Sequence, residues 1–317
     1  KQLPAKQLPA KQLPAKQLPA KQLQNMPTFL DPSALMRVKS LELRARMVME
    51  GFWKGIHRSP YHGFSVEFSE YRPYARGDDT RFIDWKVMAR SDRAYIKKFE
   101  DETNLRAHLL LDRSRSMTYR SGEYSKADYA ATFAATLAFF LMGQQDAVGL
   151  TTFDEAVDKH IPARNRPGQL RRLLLQLEQA PSGKGTDLGA AMKGLHELIG
   201  KRSLVVLVSD LLAPLEELEK QIGYFSAGRH EVAVFQILDP RELDFRFPTA
   251  VHFRDSESQR DLFIDPAVAR SGYLERLQTH LDSIKNLCSR HGVAYRLVPT
   301  DEPLEQVLFE FVNLRNK

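Results

Sequence analysis

Beyond residue 105 the chain alternates between short apolar runs and longer stretches with helical periodicity. Residues 107–111 and 204–209 are almost continuously apolar, whereas apolar residues recur at intervals of three and four in 170–177 and 273–288. The first pattern is typical of strands buried on both faces of a parallel sheet, and the second of helices packed against such a sheet. The sequence therefore predicts an α/β fold, a three-layer sandwich around a mostly parallel, doubly wound sheet.

The other predicted elements of this region continue the alternation. Further strands are expected at 147–153, 232–238 and 293–298, and a strand at 157–161 is expected to return beside 147–153 as a hairpin. Further helices are expected at 126–142, 188–199, 215–225 and 304–314. In residues 240–266 phenylalanines stand between polar residues, which predicts one or two inserted β-hairpins.

The segment before residue 105 divides into two parts. Residues 1–20 are four identical copies of Lys-Gln-Leu-Pro-Ala, and residues 21–25 are a decayed copy. Because proline blocks a continuous helix and one leucine per repeat cannot build a core, we expect a disordered tail at 1–25. Residues 26–104 are dense in charges and aromatics and are expected to form an extension that packs on the main domain at 105–317. Its pattern predicts a helix at 32–49, strands near 66–69 and 93–100, and a turn at 76–79.

The charge balance argues against a nucleic-acid partner. The chain has 46 Lys and Arg against 40 Asp and Glu, a formal net charge of +6. Five of the lysines and none of the acids lie in residues 1–25, so residues 26–317 hold 41 basic and 40 acidic side chains. A nearly neutral folded part creates no global positive field that would attract a polyanion.

The sequence also lacks the features of membrane and secreted proteins. No segment reaches the roughly 18 apolar residues that a bilayer span requires, and no secretory leader is recognisable. The single cysteine, Cys288, excludes a disulfide scaffold and lies in a helical apolar pattern, so we expect it to be a packing residue. These features predict a cytoplasmic protein without a transmembrane segment.

Polar oxygen donors cluster at three predicted strand-to-helix loops. The first loop reads Asp112-Arg-Ser-Arg-Ser116, the second reads Gly183-Lys-Gly-Thr-Asp187, and Asp210 opens the third. In a sheet of this type ligands bind outside the carboxyl ends of the strands, where the strand order reverses. Oxygen donors without His or Cys suit a hard cation, Mg²⁺ or Mn²⁺. The alternative is that these residues are only helix caps and turn residues, the role that we favour for Asp187.

An Asp-x-Ser-x-Ser loop followed by a distant Thr and a distant Asp resembles the metal-ion-dependent adhesion site (MIDAS) of von Willebrand factor A domains. The order of predicted elements from 105 to 317 is also similar to that fold. The resemblance implies that the metal-site residues are Asp112, Ser114, Ser116, Thr186 and Asp210.

A second resemblance lies further upstream. Residues 77–86 read Gly-Asp-Asp-Thr-Arg-Phe-Ile-Asp-Trp-Lys, and with Lys97-Lys-Phe-Glu100 and the Asp112 loop they are similar to the bacterial domain-of-unknown-function 58 family. Members of that family commonly accompany MoxR-type AAA+ ATPases, so the resemblance implies such an ATPase, or its client, as partner. Many members also carry two membrane helices, which this sequence does not show, so we expect a soluble short form.

The charged run at 65–90 leaves two interpretations open. It is either an ion-paired lid on the sandwich, anchored by Phe82 and Trp85, or a recognition surface for the ATPase or its client. Nearer the candidate site, Arg113 and Arg115 lie between the predicted metal-site residues. We expect both arginines to favour an acidic partner segment, since a carboxylate that reaches the metal would meet both charges.

The predicted function is therefore a non-catalytic protein-binding module, with an enzyme as the alternative. The sequence has no Gly-x-Ser-x-Gly elbow to activate a serine, and Lys184-Gly-Thr186 does not complete a phosphate-binding loop. The alternative is a Mg²⁺-dependent hydrolase or phosphotransferase that uses the same Asp, Ser and Thr site. A phosphoryl acceptor at Asp112 would require a second Asp or a Lys nearby, and the residues that follow it in sequence offer neither.

Overall fold

The computed structural model describes residues 29–58, 71–73, 95–97, 105–181, 199, 202–247, 251–254 and 261–315. Its helices are α1 Pro32–Met36, α2 Leu41–Arg58, α3 Lys126–Gly143, α4 Gln169–Leu177, α5 Leu215–Ala227, α6 Pro240–Asp244, α7 Pro266–Arg290 and α8 Leu304–Arg315. Its strands are β1 Tyr71–Pro73, β2 Tyr95–Lys97, β3 Arg106–Asp112, β4 Ala147–Phe153, β5 Val157–Arg164, β6 Leu204–Ser209, β7 Glu231–Leu238, β8 Val251–Arg254, β9 Asp261–Ile264 and β10 Ala294–Pro299.

Six strands form the central sheet, in the order β10-β7-β6-β3-β4-β5. All neighbours in this sheet are parallel except β4 and β5, which form the antiparallel hairpin that the sequence predicts. The chain enters the sheet at β3, builds outward through β4 and β5, and then crosses to β6 on the other side of β3. The predicted α/β class is thus confirmed, and the strand order reverses between β3 and β6.

Helices cover both faces of this sheet and give the molecule two apolar cores. On one face α3 is buried on all sides, with Tyr129, Phe133 and Leu137 each fully buried, and the buried side chains of α2, α4 and α8 pack in the same cluster. On the other face, α5 and α7 pack on β6 and β7, and Cys288 of α7 is buried there as expected. Two layers of helix on one sheet make the three-layer sandwich.

The extension before residue 105 departs from the prediction at one helix. Instead of a single helix over 32–49, α1 ends at Met36 and α2 begins at Leu41. The cap at Ser40 favours a new helix start after the break, because its hydroxyl accepts a hydrogen bond from the Leu43 amide, whereas Asp31 caps the start of α1. Strand β2 lies within the predicted strand at 93–100 and pairs antiparallel with β1.

The inserted segment after β7 also differs in part from the prediction. It begins with the short helix α6, which the sequence did not predict, and continues into a single antiparallel hairpin, β8–β9, among the residues that the structure describes. The tail at 1–25, the strand at 66–69, the turn at 76–79 and most of the helix at 188–199 lie outside the described residues. Within the described part of the chain, no helix is both long and apolar enough to cross a membrane.

Candidate metal site

Two of the predicted carboxylates meet where the strand order reverses. Asp112 is the last residue of β3, and Asp210 directly follows β6, the strand that pairs parallel with β3. Parallel pairing brings both carboxyl ends to one edge of the sheet, and both residues are buried there, with only 1% and 2% exposure. The predicted convergence of these two residues is therefore present in the fold.

The first loop folds tightly around Asp112. The Ser114 amide donates to Asp112 Oδ1 at 2.8 Å, and the Ser114 and Ser116 hydroxyl oxygens lie 3.0 Å apart. A short 3₁₀ turn over Ser116–Thr118 follows, and its buried Met117 anchors the loop in the apolar core. The loop thus presents two hydroxyls side by side next to a buried carboxylate.

A second hydroxyl contact joins this loop to β6. Ser209 donates to Asp112 Oδ2 at 2.5 Å and accepts the Leu211 amide at 3.0 Å. Leu211 has φ +53°, a left-handed conformation that leucine rarely adopts, and its carbonyl lies 3.0 Å from His280 Nε2 of α7. Burial and the neighbouring Asp210 carboxylate raise the pKa of Asp112 to about 6.

A buried lysine at this edge was not foreseen from the sequence. Lys126, the first residue of α3, is fully buried, and its Nζ donates to Asp210 Oδ2 at 2.9 Å and to Glu242 Oε1 at 2.7 Å. Burial alone would lower its pKa, but the carboxylates of Asp210 and Glu242 more than compensate and raise it. The residues that follow Asp112 in sequence offer neither a second aspartate nor a lysine, but the fold brings Asp210 beside Asp112, as predicted, and pairs Asp210 with Lys126 from α3.

Helix α6 is tied to the same edge through its own cap. Glu242 Oε2 accepts the Asp239 amide at 2.8 Å, which closes a capping box at the start of α6. Asp239 in turn accepts the Ser121 amide at 2.9 Å and the Ser121 hydroxyl at 2.5 Å. Ser121 follows the Asp112 loop, so the loop, α6 and Asp210 form one continuous hydrogen-bonded network.

The two arginines of the first loop have different surroundings. Arg113 is 5% exposed, and its guanidinium donates to the carbonyls of Gln176, Gln179 and Ala180 at the end of α4. Arg115 is half-buried, and its carbonyl accepts the Thr118 hydroxyl at 2.7 Å. Arg113 is thus engaged inside the molecule, and partner binding by either arginine stays a prediction.

Comparison with known proteins places the chain in a family. Residues 70–282 match the family model described as "Protein of unknown function DUF58". The chain belongs to the DUF58 family. Similar curated proteins are the uncharacterized proteins Rv1480 of Mycobacterium tuberculosis and Mb1516 of Mycobacterium bovis, each 28% identical over 292 residues, which is 90% of this DUF58 chain and 91% of theirs.

Solved structures similar to the DUF58 chain are more distant in sequence. One is the conserved hypothetical protein BatB from Bacteroides thetaiotaomicron, with 12% identity and a TM-score of 0.45, covering 67% of this chain and all of that one. Another is the VWA domain of SpRpn10, with 11% identity and a TM-score of 0.39, covering 65% of this chain and 95% of that one.

The donor set of the DUF58 site fits a divalent cation in three respects. The donors are carboxylates and hydroxyls, and the Ser114 and Ser116 oxygens lie 3.0 Å apart, a hydrogen-bond distance that is also close to the spacing of adjacent ligands around Mg²⁺, about 2.9 Å. Among the described residues, the ion-paired cluster of Asp112, Asp210 and Glu242 with Lys126 carries a net charge of −2 when all four groups are ionised. The described residues contain no group of three or more His, Cys, Asp or Glu side chains arranged around a metal position, so the hydroxyls are essential to this fit.

The fifth predicted metal-site residue, Thr186, lies outside the described residues, as does Asp187. Sequence reasoning missed Lys126, Ser209 and Glu242. One feature of the sequence could have identified Lys126, because it is the first residue of a helix whose other residues are nearly all apolar. A lysine in such a buried helix requires a partner of opposite charge.

Proposed function

We propose that this DUF58 chain is a protein-binding module whose Mg²⁺ site accepts a carboxylate from a partner protein. Asp112, Ser114, Ser116, Thr186 and Asp210 would hold the cation, and Mn²⁺ would suit the same oxygens. The observation that carries the proposal is the pair of nearly inaccessible carboxylates beside two adjacent hydroxyls at the point of strand reversal. When bound, the cation would supply a positive charge to which the carboxylate of a partner's Asp or Glu side chain binds.

The surface beside the site supports a protein as the ligand. Leu212, two residues after Asp210, is 52% exposed, and Arg115 lies half-buried in the first loop. The exposed Leu212 side chain and the Arg115 guanidinium lie beside the proposed metal site. They suit a protein segment that combines an acidic residue with apolar neighbours. A MoxR-type AAA+ ATPase, or the client that it remodels, is the partner we propose for an adaptor in complex assembly or maturation.

Capture of a purified MoxR-type ATPase by the immobilised chain tests this function. We expect retention with Mg²⁺, loss in EDTA, and loss with Ser116→Ala, which removes one hydroxyl donor and no charge. Glu155→Ala is the matched control, because Glu155 is an exposed acid outside the site, and it should retain the ATPase. Equal capture in EDTA would contradict a metal-bridged contact and would direct attention to the charged run at 65–90.

A second candidate function is favoured by one observation. Asp112 has a second aspartate beside it, and that aspartate is paired with Lys126, a combination that suits Mg²⁺-dependent phosphoryl transfer. Against it, both Asp112 oxygens already accept hydrogen bonds, and the side chain is almost fully buried. Turnover of a phosphomonoester by the purified chain, abolished by Asp112→Ala, would favour this candidate over the binding module.

A further inference from the structure

Lys126 occupies a position from which it can join the metal site to another part of the molecule. Its ammonium bridges Asp210, at the end of β6, and Glu242, in α6, and its side chain is fully buried. A buried ammonium group loses its hydration, and this costs free energy unless other hydrogen-bond acceptors replace the water. The carboxylates of Glu242 and Asp210, at 2.7 and 2.9 Å, replace it here. If Asp210 binds another group, its ion pair with Lys126 weakens, and we expect the ion pair between Lys126 and Glu242 to strengthen.

Helix α6 is in turn bonded to α7. The Tyr273 hydroxyl of α7 donates to the Glu242 carbonyl at 2.9 Å, and Arg270 Nε donates to the Asp244 carbonyl at 2.9 Å. Phe245, directly after α6, stacks on the Tyr273 ring with centroids 4.3 Å apart. Helix α6 is the first element of the inserted segment that also contains β8 and β9, so these contacts join the start of the insertion to α7.

We propose that Lys126 is a built-in competitor for the divalent cation at Asp210 and couples occupancy of the site to helix α6. This inference rests on the metal site of the proposed function. Two cations on one carboxylate repel each other, so Lys126 weakens metal binding and shifts its own bonding toward Glu242 when Asp210 engages a divalent cation. Stronger pairing with Glu242 then tightens α6 and the base of the insertion.

The coupling predicts opposite effects of two substitutions on Mg²⁺ affinity. Lys126→Met removes the competing charge and keeps an apolar side chain of similar length, so affinity should rise at least about tenfold. Glu242→Gln leaves the ammonium with Asp210 as its remaining carboxylate and removes a nearby negative charge, so affinity should fall. Asp244→Asn is the matched control on α6, because its side chain caps the Arg246 amide and should leave affinity unchanged.

Titration calorimetry with Mg²⁺ on the full chain measures these affinities, and hydrogen exchange over residues 239–247 measures the coupling. We expect Mg²⁺ to slow exchange in this segment of the wild type, and to have no effect there in Lys126→Met. Far-ultraviolet circular dichroism of each variant checks that it has folded. Mg²⁺ binding by Lys126→Met but not by the wild type would also support Lys126 as the resident cation.

Two results would overturn the inference, and they differ in what they say of the metal site. If the wild type binds Mg²⁺ and both substitutions leave its affinity unchanged, or if Lys126→Met weakens it in a folded protein, the role of Lys126 fails while the metal site stands. If neither the wild type nor Lys126→Met binds Mg²⁺, the metal site and the inference fail together.

Discussion

His108 is a buried imidazole near the middle of β3, and it shows how one residue makes this fold sensitive to acid. The side chain is 6% exposed, and its ring stacks near His160 of β5 with centroids 6.5 Å apart. Burial, followed by the nearby charges of His160, His230 and Arg106, lowers the pKa of His108 to about 4. The folded protein therefore keeps this imidazole neutral under conditions in which the unfolded chain protonates it.

The sign of the pH effect follows from that lowered pKa. As pH falls from 6.5 to about 4, His108 is protonated in the unfolded state but stays neutral in the folded state. The free energy of unfolding therefore decreases over this pH range. We expect His108 to contribute a loss on the order of 3 kcal/mol. Urea denaturation at pH 7 and pH 4 should show a smaller loss in His108→Gln than in the wild type, whereas equal losses would contradict the prediction.

At single residues, the sequence predicted which two carboxylates meet at the candidate site but not the side chains that surround them. Asp112 and Asp210 were identifiable because both follow apolar strands, and strand ends converge in a parallel sheet. Lys126 was not identifiable as their neighbour, since it lies 84 residues from Asp210 and 116 from Glu242 in the chain. The same is true of Arg113, whose carbonyl partners lie at least 63 residues away. Local patterns do not encode contacts of this range.

At the level of elements, the end of α4 depends on a side chain from another loop. The last carbonyls of a helix lack partners within it, and here Arg113 supplies donors to three carbonyls at or beyond the end of α4. The interaction ties α4 to the loop that carries Ser114 and Ser116. Arg113 thereby stabilises both the helix end and the candidate site.

The two arginines of that loop should consequently differ in their effect on stability. Arg113→Ala removes a buried guanidinium and its hydrogen bonds to the carbonyls of Gln176, Gln179 and Ala180, and should lower the free energy of unfolding by about 1–3 kcal/mol. Arg115→Ala should change it by no more than about 0.5 kcal/mol, because this side chain is not fully buried. Chemical denaturation of both variants makes the comparison, and equal losses would contradict the structural role of Arg113.

The hairpin of β4 and β5 leaves no room for a side chain at Gly149. A Cβ atom there would lie 2.7 Å from the Ala163 nitrogen and 2.7 Å from the Ile161 carbonyl oxygen, both in the backbone of β5. Gly149→Ala should therefore push the strands apart and cost about 1–3 kcal/mol. Gly143→Ala, at the end of α3, meets no atom within 4 Å and serves as the control in the same thermal denaturation. Its melting temperature should stay close to that of the wild type.

Element boundaries followed from the sequence where the signals are local. The bounds of β4 and β6 agree with the prediction, since each is an apolar run ending in polar residues. The break between α1 and α2 was missed although Ser40 carries a recognisable cap signal, because the apolar spacing continues across it. Helix α6 was missed because five residues are too few to show a helical period.

Across the whole molecule, the uncompensated charge at the site sets how stability responds to Mg²⁺. Asp112→Asn removes a buried negative charge, so without divalent cations this variant should be more stable than the wild type by about 1–3 kcal/mol. The wild type should gain stability with Mg²⁺, by about 2.7 kcal/mol at a hundredfold excess over Kd, and the variant should gain none. Urea denaturation in EDTA and in Mg²⁺ measures both effects, and an equal Mg²⁺ gain in the variant would exclude Asp112 from the metal site.

The central position of β3 in the sheet also fixes when this site can form during synthesis. Strands β3, β4 and β5 and helices α3 and α4 are consecutive, whereas Ser209, which bonds Asp112, follows it by 97 residues. A nascent chain that ends before β6 leaves the Asp112 carboxylate without Asp210 as its neighbour, so charge repulsion first arises when β6 joins β3. A cation at the proposed site would therefore act after β6 has joined β3, and we expect it to slow unfolding more than it speeds folding.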